Sequence, residues 1–150
     1  MKYKISILLL FLLLLNFNSC IKKGNDDPLL SLRTRTARVE GEWTVTSNFI
    51  NSVNQYSSGQ GASYLFSKDG SGKYTFINSS ITTTNDIEWV FLNKNSNYKS
   101  NERIAIYNKG NSVASIWDIV ELRHNKIRLK RNVVNANDSS VVHSMTLEPK

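Results

Sequence analysis

His124 and His143 are the chain's only imidazoles, and Cys20 is its only cysteine. A hydrolytic centre needs a nucleophile, a base and a group that orients the base. His124 stands in the polar turn Arg123-His124-Asn125-Lys126, where a solvated side chain is expected. His143 alternates with Val141, Met145 and Leu147, so it is expected to turn inward as a hydrogen-bonding residue rather than act as a base. No His-x-His or Glu-x-x-His pair accompanies either ring, so a metal site lacks its ligands. One cysteine allows neither an internal disulfide nor a cysteine-rich zinc module. The sequence therefore predicts no catalytic set, no metal and no cofactor.

The acids on strand-like segments are Glu88, Asp118, Glu121 and Glu148. Glu88, between Ile87 and Trp89, is expected to face water. Asp118 is read two ways. Strict alternation from Ile116 to Val120 buries it, whereas a pattern led by Trp117 and Ile119 exposes it. A lone buried carboxylate is costly, which favours exposure; an inward Asp118 would be the polar contact for a ligand. From Arg123 to Arg131 run five basic residues and no acid, with Arg128 and Lys130 alternating against Ile127 and Leu129 and so lying outward. A solvated strand face is expected there, with docking of an anionic glycan, lipid headgroup or acidic protein as the alternative. No aromatic platform interleaves the charges, so nucleic acid is not the expected partner.

These residues need an address. Lys2 and Lys4 precede an apolar run from Ile5 to Leu15, followed by Asn16-Phe17-Asn18-Ser19-Cys20. A charged start, a short apolar stretch and a small residue before a cut site form a secretory signal, and the stretch is too short to span a bilayer comfortably. The placement of Ser19 and Cys20 resembles the lipobox of bacterial lipoproteins, in which the cysteine is lipidated and becomes the mature N-terminus. Phe17 stands where that family more often has Leu. The resemblance implies a signal peptide over 1–19, a membrane anchor at Cys20 and a place at the cell envelope as an outer-membrane lipoprotein, on its periplasmic or its surface side. Cleavage removes two of the positive charges from the chain's +7 and leaves +5. Residues 20–40 then read as a lipidated tether whose Gly24, Asp26, Asp27 and Pro28 mark a linker, while Leu29, Leu30 and Leu32 could form a turn covering one end of the domain.

From Gly41 onward the chain alternates. Trp43, Val45 and Phe49 share one parity; Tyr64 and Phe66 precede the turn Lys68-Asp69-Gly70-Ser71-Gly72, and Tyr74 and Phe76 follow it. An Asp-Gly between two alternating aromatic runs is a strong hairpin signal. Further runs carry Ile87, Trp89 and Phe91; Ile104 and Ile106; Ile116 to Leu122; Ile127, Leu129 and Val133; and Val141 to Leu147. Eight short strands with no helix to cover an open sheet predict an all-β, eight-stranded antiparallel up-and-down barrel over 41–150, because closure removes exposed edges.

Gly41-Glu42-Trp43 at the head of the first strand resembles the Gly-x-Trp motif of lipocalins. Together with Phe66, Asp69, Gly70, Tyr74 and Phe76 in one hairpin, and Trp117, Ile119 and Leu122 in a late strand, it is similar to the compact lipocalin-like lipoproteins of Bacteroidota-type bacteria. The resemblance implies that Trp43 plugs one end of the barrel. A late Thr-Asp-Tyr motif and barrel-closing cysteines are absent, which leaves ligand specificity uninherited.

A barrel of this size is either filled by side chains or holds one small ligand. Its candidate lumen residues are Tyr64, Phe66, Phe76, Trp89, Phe91, Trp117, Asp118 and His143, with any pocket small, aromatic-walled and at the end opposite Trp43. The expected function is non-catalytic binding of a small apolar or amphipathic molecule. The alternative is a filled barrel that docks another envelope protein as an inhibitor or accessory subunit.

Overall fold

The computed structural model describes residues 33–56, 60–92, 102–134 and 140–150. Cys20, the apolar run before it and most of the tether lie outside the described residues. The chain forms a five-residue helix, α1 (Arg35–Val39), and nine strands: β1 (Gly41–Ile50), β2 (Val53–Asn54), β3 (Gln60–Phe66), β4 (Ser71–Asn78), β5 (Ile81–Leu92), β6 (Glu102–Asn108), β7 (Ala114–Arg123), β8 (Lys126–Val134) and β9 (Ser140–Pro149). Neighbours in sequence pair antiparallel from β3 round to β9, and β1 pairs with both β3 and β9. The result is a closed eight-stranded up-and-down barrel, as the alternation predicts. The short β2 is additional. It folds back on β1 through Asn51 and Ser52, both at positive φ, with Ile50 opposite Val53. Asn suits the first position of such a turn, but Ser52 stands where Gly is usual, so the pair is only a weak turn signal.

One end is sealed. The Asp69-Gly70 turn is set by Asp69 Oδ1, which accepts from the Ser71 amide at 3.0 Å and its hydroxyl at 2.7 Å, and by Gly70 at a φ of +88° that disfavours any Cβ. The Trp89 indole donates into the same turn, at 3.1 Å to the carbonyls of Ser67 and Ser71. Trp43, 3% exposed, donates from Nε1 to the Val39 carbonyl at 2.7 Å, which ties the barrel end to α1. Thr34 caps that helix by accepting from the Ala37 amide, and Arg38 donates to the Leu122 carbonyl at 2.9 Å. Part of the segment read as tether is thus the lid of the closed end, a few residues beyond the leucines expected to supply it; Leu29, Leu30 and Leu32 lie outside the described residues.

Above the lid the interior packs in aromatic contacts. Phe66 meets Trp89 edge-on at 5.6 Å between centroids, and Trp89 meets Phe91 likewise at 5.5 Å. Tyr64 stacks on Phe66 at 5.4 Å. Ile104, Ile119, Leu122, Ile127, Leu129 and Leu147 fill the spaces between them. Each buried ring or branched side chain contributes on the order of 1.5–3 kcal/mol of transfer free energy.

Two bulges change which residues face in. In β1 the register shifts between Val45 and Ser47, adding Thr46. Trp43 and Val45 point inward before it; after it Asn48 and Ile50 line the lumen. Phe49, which uninterrupted alternation places inside, lies on the outer wall opposite Ser144. In β7 the shift between Ile119 and Glu121 adds Val120, so that Trp117, Ile119 and Leu122 are all buried.

Gly72 sits where β4 crosses closest to β3 and β5: a Cβ there would fall on the Leu65 carbonyl oxygen and against the Ile87 side chain. At Gly61 the space is open. Gly72→Ala is therefore expected to destabilise the protein by about 1–3 kcal/mol, while Gly61→Ala stays within about 0.5 kcal/mol. Urea unfolding followed by circular dichroism measures both; equal midpoints would contradict the packing described for this wall.

Candidate ligand-binding site

The other half of the barrel is open. A cavity of about 370 Å³ lies in the lumen at the end away from Trp43. Its floor is Ile87, Ile106, Trp117 and Met145; its walls carry Tyr56, Tyr64, Tyr74, Asn48, Asn108 and Ser115; and Arg131 and His143 face each other across paired strands β8 and β9. A shallower depression of about 600 Å³ outside β1 and β9, beside Phe49 and Val142, has no titratable lining.

Alternation explains the unexpected member. Ile127, Leu129 and Arg131 share one parity of β8, so the strand that buries the first two turns the guanidinium into the lumen. Arg131 lies over the Trp117 ring at 4.5 Å from its centroid. It donates to Ser115 Oγ at 3.2 Å and approaches His143 Nδ1 at 3.3 Å. A guanidinium only donates, so Nδ1 must accept, and the imidazole is neutral with its proton on Nε2. Burial, reinforced by the cation, holds this histidine below its ordinary 6.5. Burial also lowers Arg131 from its usual value, but a guanidinium stays charged at neutral pH.

The three tyrosines are phenols rather than phenolates. Burial and the neighbouring Tyr74 push Tyr56 up to about 12, and the same two causes, in that order, raise Tyr64 further. Tyr74 is also raised by burial. Tyr64 and Tyr74 rings lie 4.9 Å apart, and Tyr56 stands 6.5 Å from Phe76. The open half thus presents hydroxyl and amide groups with a single formal charge among its described lining residues.

Of the residues singled out from the sequence, Tyr64, Trp117 and His143 line this cavity. Phe66, Trp89 and Phe91 belong to the packed interior, and Phe76 packs against its edge beside Tyr56. Asp118 is a correction. Its strand partners are Arg103 and Lys130, and Trp117 and Ile119 on either side take the lumen, so it lies on the outer wall and is no ligand contact. Gly41 and Trp43 stand at the closed end. Sequence reasoning missed Arg131 by grouping it with the basic run, although its parity with Ile127 and Leu129 was available. It also missed Asn48, which only the β1 bulge turns inward.

The basic stripe itself is partly neutralised. Glu121 meets Arg128 at 2.6 Å and Arg123 at 2.7 Å, and Lys126 lies 3.8 Å from Glu148. His124 is exposed in its turn. Among the described residues no cluster of three or more His, Cys, Asp or Glu comes together, and no helix is long and apolar enough to cross a membrane. No protein-family model matches the chain, and none of the curated proteins matches it significantly.

The environment of His143 has a measurable consequence. Its folded-state affinity for a proton is lower than in the unfolded chain, so it opposes unfolding fully above pH 6.5 and loses that contribution as pH falls through 6.5 toward the folded midpoint. An NMR titration of the ring is expected to give a midpoint below 6.5, moving upward in Arg131→Met, which removes the adjacent cation. A native midpoint at or above 6.5 would contradict the placement of the ring.

Proposed function

We propose that this chain is a non-catalytic, lipid-anchored envelope protein whose lipocalin-like barrel holds one small apolar or amphipathic molecule in the open half of its lumen. The observation that carries the reading is the 370 Å³ cavity at the end opposite Trp43, a volume within the roughly 300–1,000 Å³ of small-molecule sites. Apolar surface on the floor and a few convergent polar groups near the mouth are the composition such sites use. The membrane anchor at Cys20 and the envelope address rest on the Lys2-to-Cys20 pattern; an acylated cysteine holds a protein at a bilayer through about 0.8 kcal/mol per buried CH₂. The open end of the barrel is the one not occupied by α1, which forms the last part of the segment read as tether. The mouth therefore need not face the anchor.

A second reading, docking of another envelope protein, is supported by one feature of the outer wall. Val90 and Ile116, 47% and 43% exposed, flank the fully buried Ala105 on adjacent strands, an apolar stripe across three strands.

Titration of the full chain with N-phenyl-1-naphthylamine, a neutral apolar fluorophore, separates the two. Saturable one-to-one binding with energy transfer from tryptophan is expected, weakened at least about tenfold in Ile50→Trp, which fills the mouth. Absence of saturable binding, or binding indifferent to Ile50→Trp, would overturn the container and leave the stripe as the working surface.

A further inference from the structure

The polar half of the lumen contains an uncompensated charge. Arg131 carries five N–H donors, and two contacts to neutral groups, Ser115 and His143, are all that the described residues offer its terminal nitrogens. Its Nε is buried with no hydrogen-bond partner among the described residues. No Asp or Glu lines the cavity among the described residues, and a tyrosinate is not available, because burial keeps Tyr56, Tyr64 and Tyr74 protonated. A partly desolvated cation without a counter-charge is costly. It is nonetheless held firmly in place, stacked on Trp117 and braced from two strands.

We infer that Arg131 is the head-group site of the lumen and takes the carboxylate of a small amphipathic acid, whose apolar part lies on Ile87, Ile106, Trp117 and Met145. This rests on the container reading proposed above and adds the charge and chemical class of what is contained. The planar guanidinium matches a carboxylate in a two-point contact, and Tyr64, which lines the same cavity, offers a neutral hydroxyl donor. A monoanion is favoured over a phosphate ester by charge balance. One guanidinium neutralises one negative charge, and a second would remain against three phenols with no other cation in the described lining. The neutral His143 supplies an acceptor to Arg131 and no charge to the ligand.

Calorimetric titration of the full chain with octanoate, 1-octanol and octyl phosphate tests the assignment, with Arg131→Met as the variant. Octanoate is expected to bind the native chain at least about tenfold more tightly than 1-octanol and more tightly than octyl phosphate. In Arg131→Met the preference for octanoate over the alcohol is lost while 1-octanol still binds, which also reports that the barrel has folded. Octanoate and 1-octanol binding equally to the native chain, or a preference that survives Arg131→Met, overturns the head-group site and leaves the container standing. A preference for octyl phosphate overturns the choice of a monoanion. Failure of all three ligands on the native chain removes the container, and the head-group site with it.

Discussion

The pairing of β1 with β9 is the constraint from which the rest of this structure follows. Seven residue pairs from Trp43–Pro149 to Ile50–His143 join the first and last long strands, and with that seam closed no long strand of the barrel presents a free edge. Closure also divides every strand into an inward and an outward set. A side chain that shares parity with a core residue is committed to the lumen whatever its chemistry. Arg131 is inside because Ile127 and Leu129 are inside, and the same rule sends Asp118 out. The inward placement of Arg131, the one formal charge among the described lining residues, thus follows from sheet geometry.

The two halves of the lumen differ in how they are packed. The closed half is filled by rings that meet edge to face and by branched aliphatics, and its polar atoms are used to fasten the lid: the Trp43 indole to Val39, the Trp89 indole to the Asp69-Gly70 turn, Arg38 to Leu122. Arg35 and Glu102 pair at 2.9 Å on the same side, with the guanidinium over Phe91 at 4.1 Å. The open half gives up that packing. Where small or polar side chains such as Ser115, Asn48 and Asn108 replace branched aliphatics, space is left that the fold does not need for its own cohesion.

Much of this was legible in the residues. Period-two alternation located all eight barrel strands, and Asp69-Gly70 marked the tight hairpin. The place of Trp43 at one end was implied only by the resemblance of Gly41-Glu42-Trp43 to a Gly-x-Trp motif, not by alternation. What was not legible came from single inserted residues. Thr46 and Val120 each shift the register by one, and nothing in their side chains announces a bulge. Past Thr46 the parity reverses, so Phe49 goes out and Asn48 comes in. Around Val120 the ambiguous run Ile116 to Leu122 resolves with Trp117, Ile119 and Leu122 all buried. Arg131 is a different case. Its parity was plain, but its neighbours Arg128 and Lys130 made the whole run look like surface.

The surroundings of Arg131 differ from those of its basic neighbours. Outside the barrel three basic residues of β7 and β8 have carboxylates within reach: Glu121 serves Arg123 and Arg128, and Glu148 serves Lys126. Inside, three residues further along β8 from Arg128, Arg131 has an aromatic face, a hydroxyl and a neutral imidazole. Each of these orients a guanidinium without cancelling its charge. A side chain whose only task was to fill the lumen would do better as Leu or Met, which bring no desolvation cost. The chain instead carries a fixed positive group in a cavity whose described lining is otherwise neutral, and its desolvation is offset only in part by the ring, hydroxyl and imidazole around it.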